Sequence, residues 1–267
     1  MVTITLDKLS IALGRRPVVE NINARMSGGE LVGIIGPNGA GKSTLVRALL
    51  GLAPTSGGTV RIDDRPLAAL SRRELALALA YLPQGQTLHW PLSVERLVEL
   101  GRLPHLAPMS HPGAEDRARV EEAMRRTHVL SLRARVATEL SGGERARVML
   151  ARALAVGAAG LVADEPLAAL DPGHQIDVME LLAQEARQGA LVLTVLHDLT
   201  MAARYCHRLL LIDKGRLIAD GPPADVLTEE RLRRVYGIFA LMEKRDGAPM
   251  IVPMGRVAPD AATGDEA

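Results

Sequence analysis

The sequence predicts an α/β fold built on a largely parallel sheet with helices against it. Three observations carry this. Short apolar runs of strand length alternate with helix-like stretches along most of the chain. The run at residues 31–35 ends in a glycine-rich turn, and those at 160–163 and 190–196 lead into carboxylates or a histidine, as buried parallel strands do. The helix-like stretches close on Gly51, Gly157 and Gly189, the residue type that most readily ends a helix.

Taken in order, residues 42–50 read as the first helix. Ser71-Arg-Arg-Glu74 has capping-box spacing, so a second helix should start there. Residues 85–140 are helix-rich and punctuated by Pro83, Pro91, Pro104, Pro108 and Pro112, which predicts a helical insert beside the sheet. Residues 144–156 and 173–188 read as further helices. Two apolar runs in 238–253, around Asp246–Gly247, predict a terminal hairpin, and 257–267 is expected to be a disordered tail. The sequence shows no internal repeat, coiled coil or low-complexity tract.

The chain has 267 residues, 48% hydrophobic and 24% charged, enough for one large domain with a sizeable core. A net charge of +1 argues against a nucleic-acid binder. The single cysteine, Cys206, excludes an intramolecular disulfide framework and suits a reducing compartment. The start MVTITLDKLS predicts no secretory signal, and no run approaches about 18 apolar residues. A cytosolic chain that meets a membrane only through a partner is the expectation.

Gly36, Pro37, Asn38, Gly39, Ala40, Gly41, Lys42, Ser43 and Thr44 form a complete phosphate-binding loop between a strand and a helix. Its glycines let successive N–H groups turn toward a polyphosphate, and the helix points its positive end at the same anion. Lys42 should reach the β- and γ-phosphates of ATP, and Ser43 should place its hydroxyl on Mg²⁺. Leu161-Val-Ala-Asp-Glu165 ends another buried strand with two carboxylates. Asp164 is the expected partner of Mg²⁺, through water, and Glu165 the general base that orients the attacking water.

Leu140-Ser-Gly-Gly-Glu144 offers a second anion site, Ser141, Gly142 and Gly143, about 100 residues beyond the first. Alone it also reads as an ordinary helix cap, with Ser141 or Glu144 satisfying the first turn. One bound nucleotide does not need two such sites within one chain. A head-to-tail homodimer does, each γ-phosphate lying between one chain's loop and the other's serine–glycine turn.

With GPNGAGKST, LSGGE and the pair Asp164–Glu165 in this order, the sequence over residues 2–237 closely resembles the nucleotide-binding domains of ATP-binding cassette transporters. The resemblance implies a P-loop NTPase with a largely parallel core sheet, an antiparallel β subdomain and a helical subdomain at about 85–157. It implies ATP hydrolysis with Mg²⁺. It assigns Gln84 to Mg²⁺ and the membrane partner, Asp171 to the loop passing between protomers, and His197 to a switch on the γ-phosphate. Unaided, Gln84 reads as a loop amide, Asp171 as a helix-start carboxylate before Pro172, and His197 as a helix-cap or core histidine. The family often stacks an aromatic residue on adenine where this chain has Leu13, so weak base discrimination is expected.

The stretch Leu92 to His105, sharpest at Gly101-Arg102-Leu103-Pro104-His105, is similar to that of metal-chelate importers, as are Gly221-Pro222-Pro223 and Val235-Tyr236-Gly237. This implies integral-membrane permease subunits as partners, a substrate-binding protein beyond them, and a peripheral place on the cytoplasmic face of the inner membrane. An iron–siderophore leads among the expected cargoes, then haem, then cobalamin. The bland reading of 101–105 is a surface helix and a proline-ended turn. Cys206–His207 and the run 231–234 read as packing and a helix face, His89, His105, His111 and His128 as solvated, and the ten methionines mostly as core filler. Two other readings compete: a soluble ATPase acting on nucleic acid or ribosomes, disfavoured by the single uninterrupted cassette and near-neutral charge, and an exporter motor, disfavoured by the glycine–arginine–proline run.

Overall fold

The computed structural model describes residues 1–85, 88–168, 170–245 and 248–257. The chain opens with β1 (Thr3–Leu13), β2 (Arg16–Ser27) and β3 (Leu31–Ile35), followed by α1 (Lys42–Leu49). Next come β4 (Gly57–Ile62), β5 (Arg65–Pro66), α2 (Arg72–Ala78) and β6 (Leu79–Leu82). A helical layer follows: α3 (Val94–Glu99), α4 (Ala114–Arg126) and α5 (Gly142–Ala155). The alternation then resumes through β7 (Gly160–Asp164), α6 (Pro172–Arg187), β8 (Leu191–Val195), α7 (Leu199–Tyr205), β9 (Arg208–Asp213) and β10 (Arg216–Gly221). Short helices α8 (Pro223–Val226) and α9 (Glu229–Arg231) lead to β11 (Ile238–Arg245) and β12 (Ala248–Arg256).

The core sheet has six strands in the order β10-β9-β3-β8-β7-β6, parallel except for the edge strand β10. β3, β7 and β8 are buried along their whole length, which is why they read as unbroken apolar runs. A separate antiparallel sheet, β2-β1-β4-β5, faces the first across α1 and shares one apolar core with it. A second core joins the other face of the parallel sheet to α3–α7. Among the described residues no helix is long and apolar enough to cross a membrane.

Local chemistry sets the helix ends. Ser71 accepts from the Glu74 N–H at 3.2 Å, and Glu74 Oε2 accepts from the Ser71 N–H at 2.8 Å, closing the capping box. α1 ends at Leu49, and Gly51 takes a left-handed φ of 64°. α5 starts at Gly142, two residues before the expected 144, because Ser141 rather than a later residue caps it. β11 and β12 pair antiparallel. Asp246 and Gly247, on which the hairpin expectation rested, lie outside the described residues, as do residues 258–267 of the expected tail. The Thr200 hydroxyl donates to the Ile251 carbonyl at 2.8 Å and accepts from its N–H at 3.1 Å, fastening β12 to the first turn of α7.

Candidate functional site

Strand order decides which loops meet. β6, β7, β8 and β3 are consecutive parallel neighbours, so the loops after their C-terminal ends share one edge of the sheet. That edge carries Gln84 after β6, Asp164 and Glu165 at the end of β7, His197 after β8, and the loop at 36–41 after β3.

The loop depends on glycine at two points. A Cβ on Gly36 would lie 1.9 Å from the Ile212 carbonyl oxygen, and one on Gly41 would lie 2.8 Å from that of Val18. Gly41, at a φ of 102°, is also the N-cap of α1, whose first turn holds no acidic residue. Lys42 is only 5% exposed, and its Nζ donates to the carbonyls of Gly36 and Pro37 at 2.8 and 2.9 Å. Burial pulls the Lys42 pKa down, against the opposing pull of Glu165 and then Asp164. Such an ammonium is a strong attractor for an anionic oxygen.

The Ser43 hydroxyl donates to Asp164 Oδ1 at 3.1 Å. Asp164 is 1% exposed, and burial raises its carboxyl pKa; its Oδ2 is buried with no hydrogen-bond partner among the described residues. A serine hydroxyl beside an orphaned carboxylate oxygen is the hard-oxygen set that Mg²⁺ takes when water and phosphate complete its shell. The residues present therefore fit the metal.

Glu165 sits at a φ of 52°, a left-handed conformation uncommon for its residue type. Gln84 Nε2 donates to its Oε2 at 2.6 Å, and His197 Nε2 lies 2.6 Å from its Oε1. Gln84 is thus more than a loop amide. His197 is neither a cap nor a core residue: Asp198 caps α7, and the His197 side chain is 44% exposed.

Lys42, Ser43, Glu165 and His197 border a cleft of about 550 Å³ lined also by Leu13, Arg16, Pro17, Val18, the rest of residues 38–44, Lys214 and Gly215, with Gln84 and Asp164 bonded just behind its wall. Sequence reasoning missed Arg16, Pro17, Val18 and the 214–215 turn. That turn did leave a signal: Asp213-Lys-Gly-Arg216 is a two-residue hairpin, with positive φ at Lys214 and Gly215. The Gly215 N–H donates to the Ala40 carbonyl at 3.0 Å, and its own carbonyl accepts from the Glu20 N–H at 2.8 Å. The turn is wedged between the phosphate loop and β2.

Ser141, Gly142, Gly143 and Asp171 do not line this cleft. Ser141 caps α5 with Glu144, whose pKa is held down first by the Ser141 backbone. Asp171 caps α6, so its bland reading holds as geometry: Oδ1 accepts from the His174 N–H at 3.0 Å and Oδ2 lies 2.5 Å from His174 Nδ1. A Cβ on Gly143 would meet that same Nδ1 at 3.4 Å. His174, which sequence reasoning passed over, joins the Asp171 turn to the serine–glycine turn.

The 101–105 run faces partly inward, which corrects its reading as a purely surface feature. Arg102 is 5% exposed, pairs with Asp116 at 2.9 Å and donates to the Ala155 and Val156 carbonyls at 2.8 and 3.1 Å. His105 is not simply solvated, because its Nε2 lies 2.7 Å from the Val156 carbonyl. The exposed residues of the run are Leu103, at 59%, and His105, with Leu100 just before it at 40%. Methionine is core filler at positions 26, 124, 149, 179 and 201, but Met109 and Met254 are exposed.

A phosphate loop at the end of β3 and paired carboxylates at the end of β7, on a parallel sheet, define a P-loop nucleoside triphosphatase. A sequence model of the ABC transporter family matches residues 19–168. The hemin import ATP-binding protein HmuV of Rhodococcus jostii (strain RHA1) is 43% identical over 255 residues, 94% of this chain and 86% of that protein. The ferric enterobactin transport ATP-binding protein FepC of Escherichia coli (strain K12) is 36% identical over 259 residues, 96% of each chain. A solved metal-chelate type ABC transporter in an inward-facing conformation superposes with a TM-score of 0.83 at 23% identity, over 98% of this chain and 100% of that one, a likeness of fold. The chain belongs to the ABC transporter family, as an ATP-binding subunit with the ABC ATPase fold. It is an ATPase.

Proposed function

We propose that this chain is the motor of an importer that takes up a metal chelate, an iron one first, with haem ahead of a ferric siderophore and the cobalt chelate cobalamin third. The 101–105 run points to metal-chelate importers without ranking their cargoes, and the expectation of a siderophore gives way to haem because identity to a hemin import protein is higher than to a ferric enterobactin one. Residues 2–237 form the cassette, with a helical subdomain at about 85–157, and 238–256 are an added hairpin. Two copies work as a homodimer beneath permease subunits on the cytoplasmic face of the inner membrane, and a substrate-binding protein delivers the cargo to the permease.

The observation that carries the motor reading is the convergence of Lys42, Ser43, Gln84, Asp164, Glu165 and His197 on one sheet edge. Residues 36–44 cradle the triphosphate, Lys42 bridging its outer phosphates. Ser43, Asp164 and Gln84 would hold Mg²⁺, which neutralises charge on the transferring phosphoryl group. Glu165 orients and deprotonates the attacking water, and His197 fixes the carboxylate and reaches the γ-phosphate. The exposed donors of Ser141, Gly142 and Gly143 are left for a second copy's nucleotide, and Asp171 lies against that copy.

The test is reconstitution with candidate permease and substrate-binding proteins from the same organism. Haem-loaded binding protein should raise the ATPase rate; stimulation by a ferric siderophore alone would reassign the cargo, and indifference to every loaded binding protein would overturn the importer reading. Glu165→Gln should keep ATP binding while lowering turnover by about 10²–10³-fold, measured as phosphate release. Turnover that survives the change would remove Glu165 from the mechanism.

A further inference from the structure

The outer lip of the cleft is the turn joining β1 to β2. Gly14 and Arg15 make the turn, so Leu13 and Arg16 stand directly opposite each other in register. Opposite residues of an antiparallel pair project from the same face. Both line the cleft, and Leu13 is 54% exposed. With the triphosphate on residues 38–44, and Glu165 and His197 at its reacting end, the lining left for sugar and base is Leu13, Arg16, Pro17, Val18 and the 214–215 turn. None of these is aromatic.

Arg16 is exposed and makes no ion pair or side-chain hydrogen bond among the described residues. Other arginines nearby do not serve: Arg15 does not line the cleft, Arg216 pairs with Glu20 at 2.9 Å, and Arg208 with Asp220 at 2.5 Å. A guanidinium is flat and weakly hydrated and stacks on π faces, which an ammonium does not do. Leu13 offers apolar contact without a ring plane.

We propose that Arg16 is the platform for the nucleotide base, its guanidinium plane stacked on the purine while Leu13 packs the base edge. This rests on the cleft being the ATP site. Stacking reads a π face and not a hydrogen-bonding edge, so it is tolerant of base identity. The same arrangement gives the weak discrimination between ATP and GTP expected from Leu13, and it locates the residual base affinity in one side chain.

The experiment compares equilibrium binding of ATP, GTP and inorganic tripolyphosphate to the full chain and to Arg16→Ala, Arg16→Lys and Arg16→Tyr. The expected result is a loss of about ten-fold in ATP and GTP affinity for the alanine and lysine variants, with tripolyphosphate unchanged. Tyrosine, which restores a ring, should recover ATP affinity. If lysine keeps wild-type ATP affinity, or alanine weakens tripolyphosphate as much as ATP, Arg16 acts as a charge on phosphate and the stacking proposal is overturned. If alanine changes nothing, Arg16 does not touch the nucleotide. If the wild-type chain binds neither ATP nor tripolyphosphate, the ATP-site reading fails first and the proposal with it.

Discussion

Asp164 is buried with one oxygen bonded to Ser43 and the other without a partner among the described residues, and burial raises its pKa despite the Ser43 bond and the pull of Arg47 and Lys42. A carboxyl whose folded pKa lies above its unfolded value binds more protons when folded. It therefore lowers stability progressively as pH rises from the unfolded to the folded value, and the full penalty stands at neutral pH. Asp164→Asn should accordingly raise the melting temperature of the nucleotide-free protein near pH 7, by roughly 2–4 °C per kcal/mol regained, while abolishing ATPase activity. The gain should vanish toward pH 4, and thermal melts across pH would show it. A variant that melts lower at pH 7 would mean that the carboxylate is net stabilising. At this scale the sequence is legible where chemistry is local: Lys42, Ser43, Asp164 and Glu165 fall in short motifs on strand ends. Arg16, His174 and Lys214 were not legible as cleft or linking residues, because their significance comes from Leu13 across a turn, from Gly143, or from a phosphate loop some 175 residues away in sequence.

Helix elements were readable because caps are written in two or three adjacent residues, as at Ser71 and Ser141. β1 was not readable by alternation. Its buried residues are Ile4 and Leu6, then Leu9 and Ile11, so the period of two is interrupted where the pairing with β2 slips between Leu6 and Leu9. The run at 101–105 shows the opposite failure, a sequence signal whose partner-facing reading covers only part of its content. Arg102 knits α4 to the end of α5, and a Cβ on Gly101 would lie 2.2 Å from the Arg152 carbonyl. Arg102→Ala leaves the half-shielded Asp116 and two carbonyls without their donor. It should cost about 3 kcal/mol in urea unfolding. Unchanged stability with impaired coupling to a permease would make Arg102 a docking residue instead.

For the whole molecule, the two apolar cores follow from buried runs that the sequence displays, whereas the strand order, which sets the neighbours of each strand, does not. β3 lies between β8 and β9, pairings that span more than 150 residues and carry no local mark. Cys206 reports on how the parts hold together. It is 6% exposed, burial pushes its thiol up to about 12, and it lines a cleft of about 460 Å³ between residues 222–227 and the terminal strands. A thiol reagent at pH 8 should label the folded chain at least about 100-fold more slowly than the unfolded one. Thr200→Val, which strips β12 of both bonds to α7, should speed that labelling. Equal rates in the two proteins would show that the strands open independently of Thr200.

The separation of the serine–glycine turn from the cleft has a genetic consequence. Take one allele carrying Lys42→Ala and another carrying Ser141→Arg; each alone yields only dead homodimers. In the mixed dimer both lesions fall on the same composite site, and the other site is assembled entirely from wild-type parts. Co-expression of the two alleles should therefore restore part of the uptake that neither supports, whereas two alleles both altered at Lys42 should never complement. Growth on the imported iron source scores it directly. Failure of the first pair to complement would mean that each chain completes its own site, or that one intact site cannot drive transport.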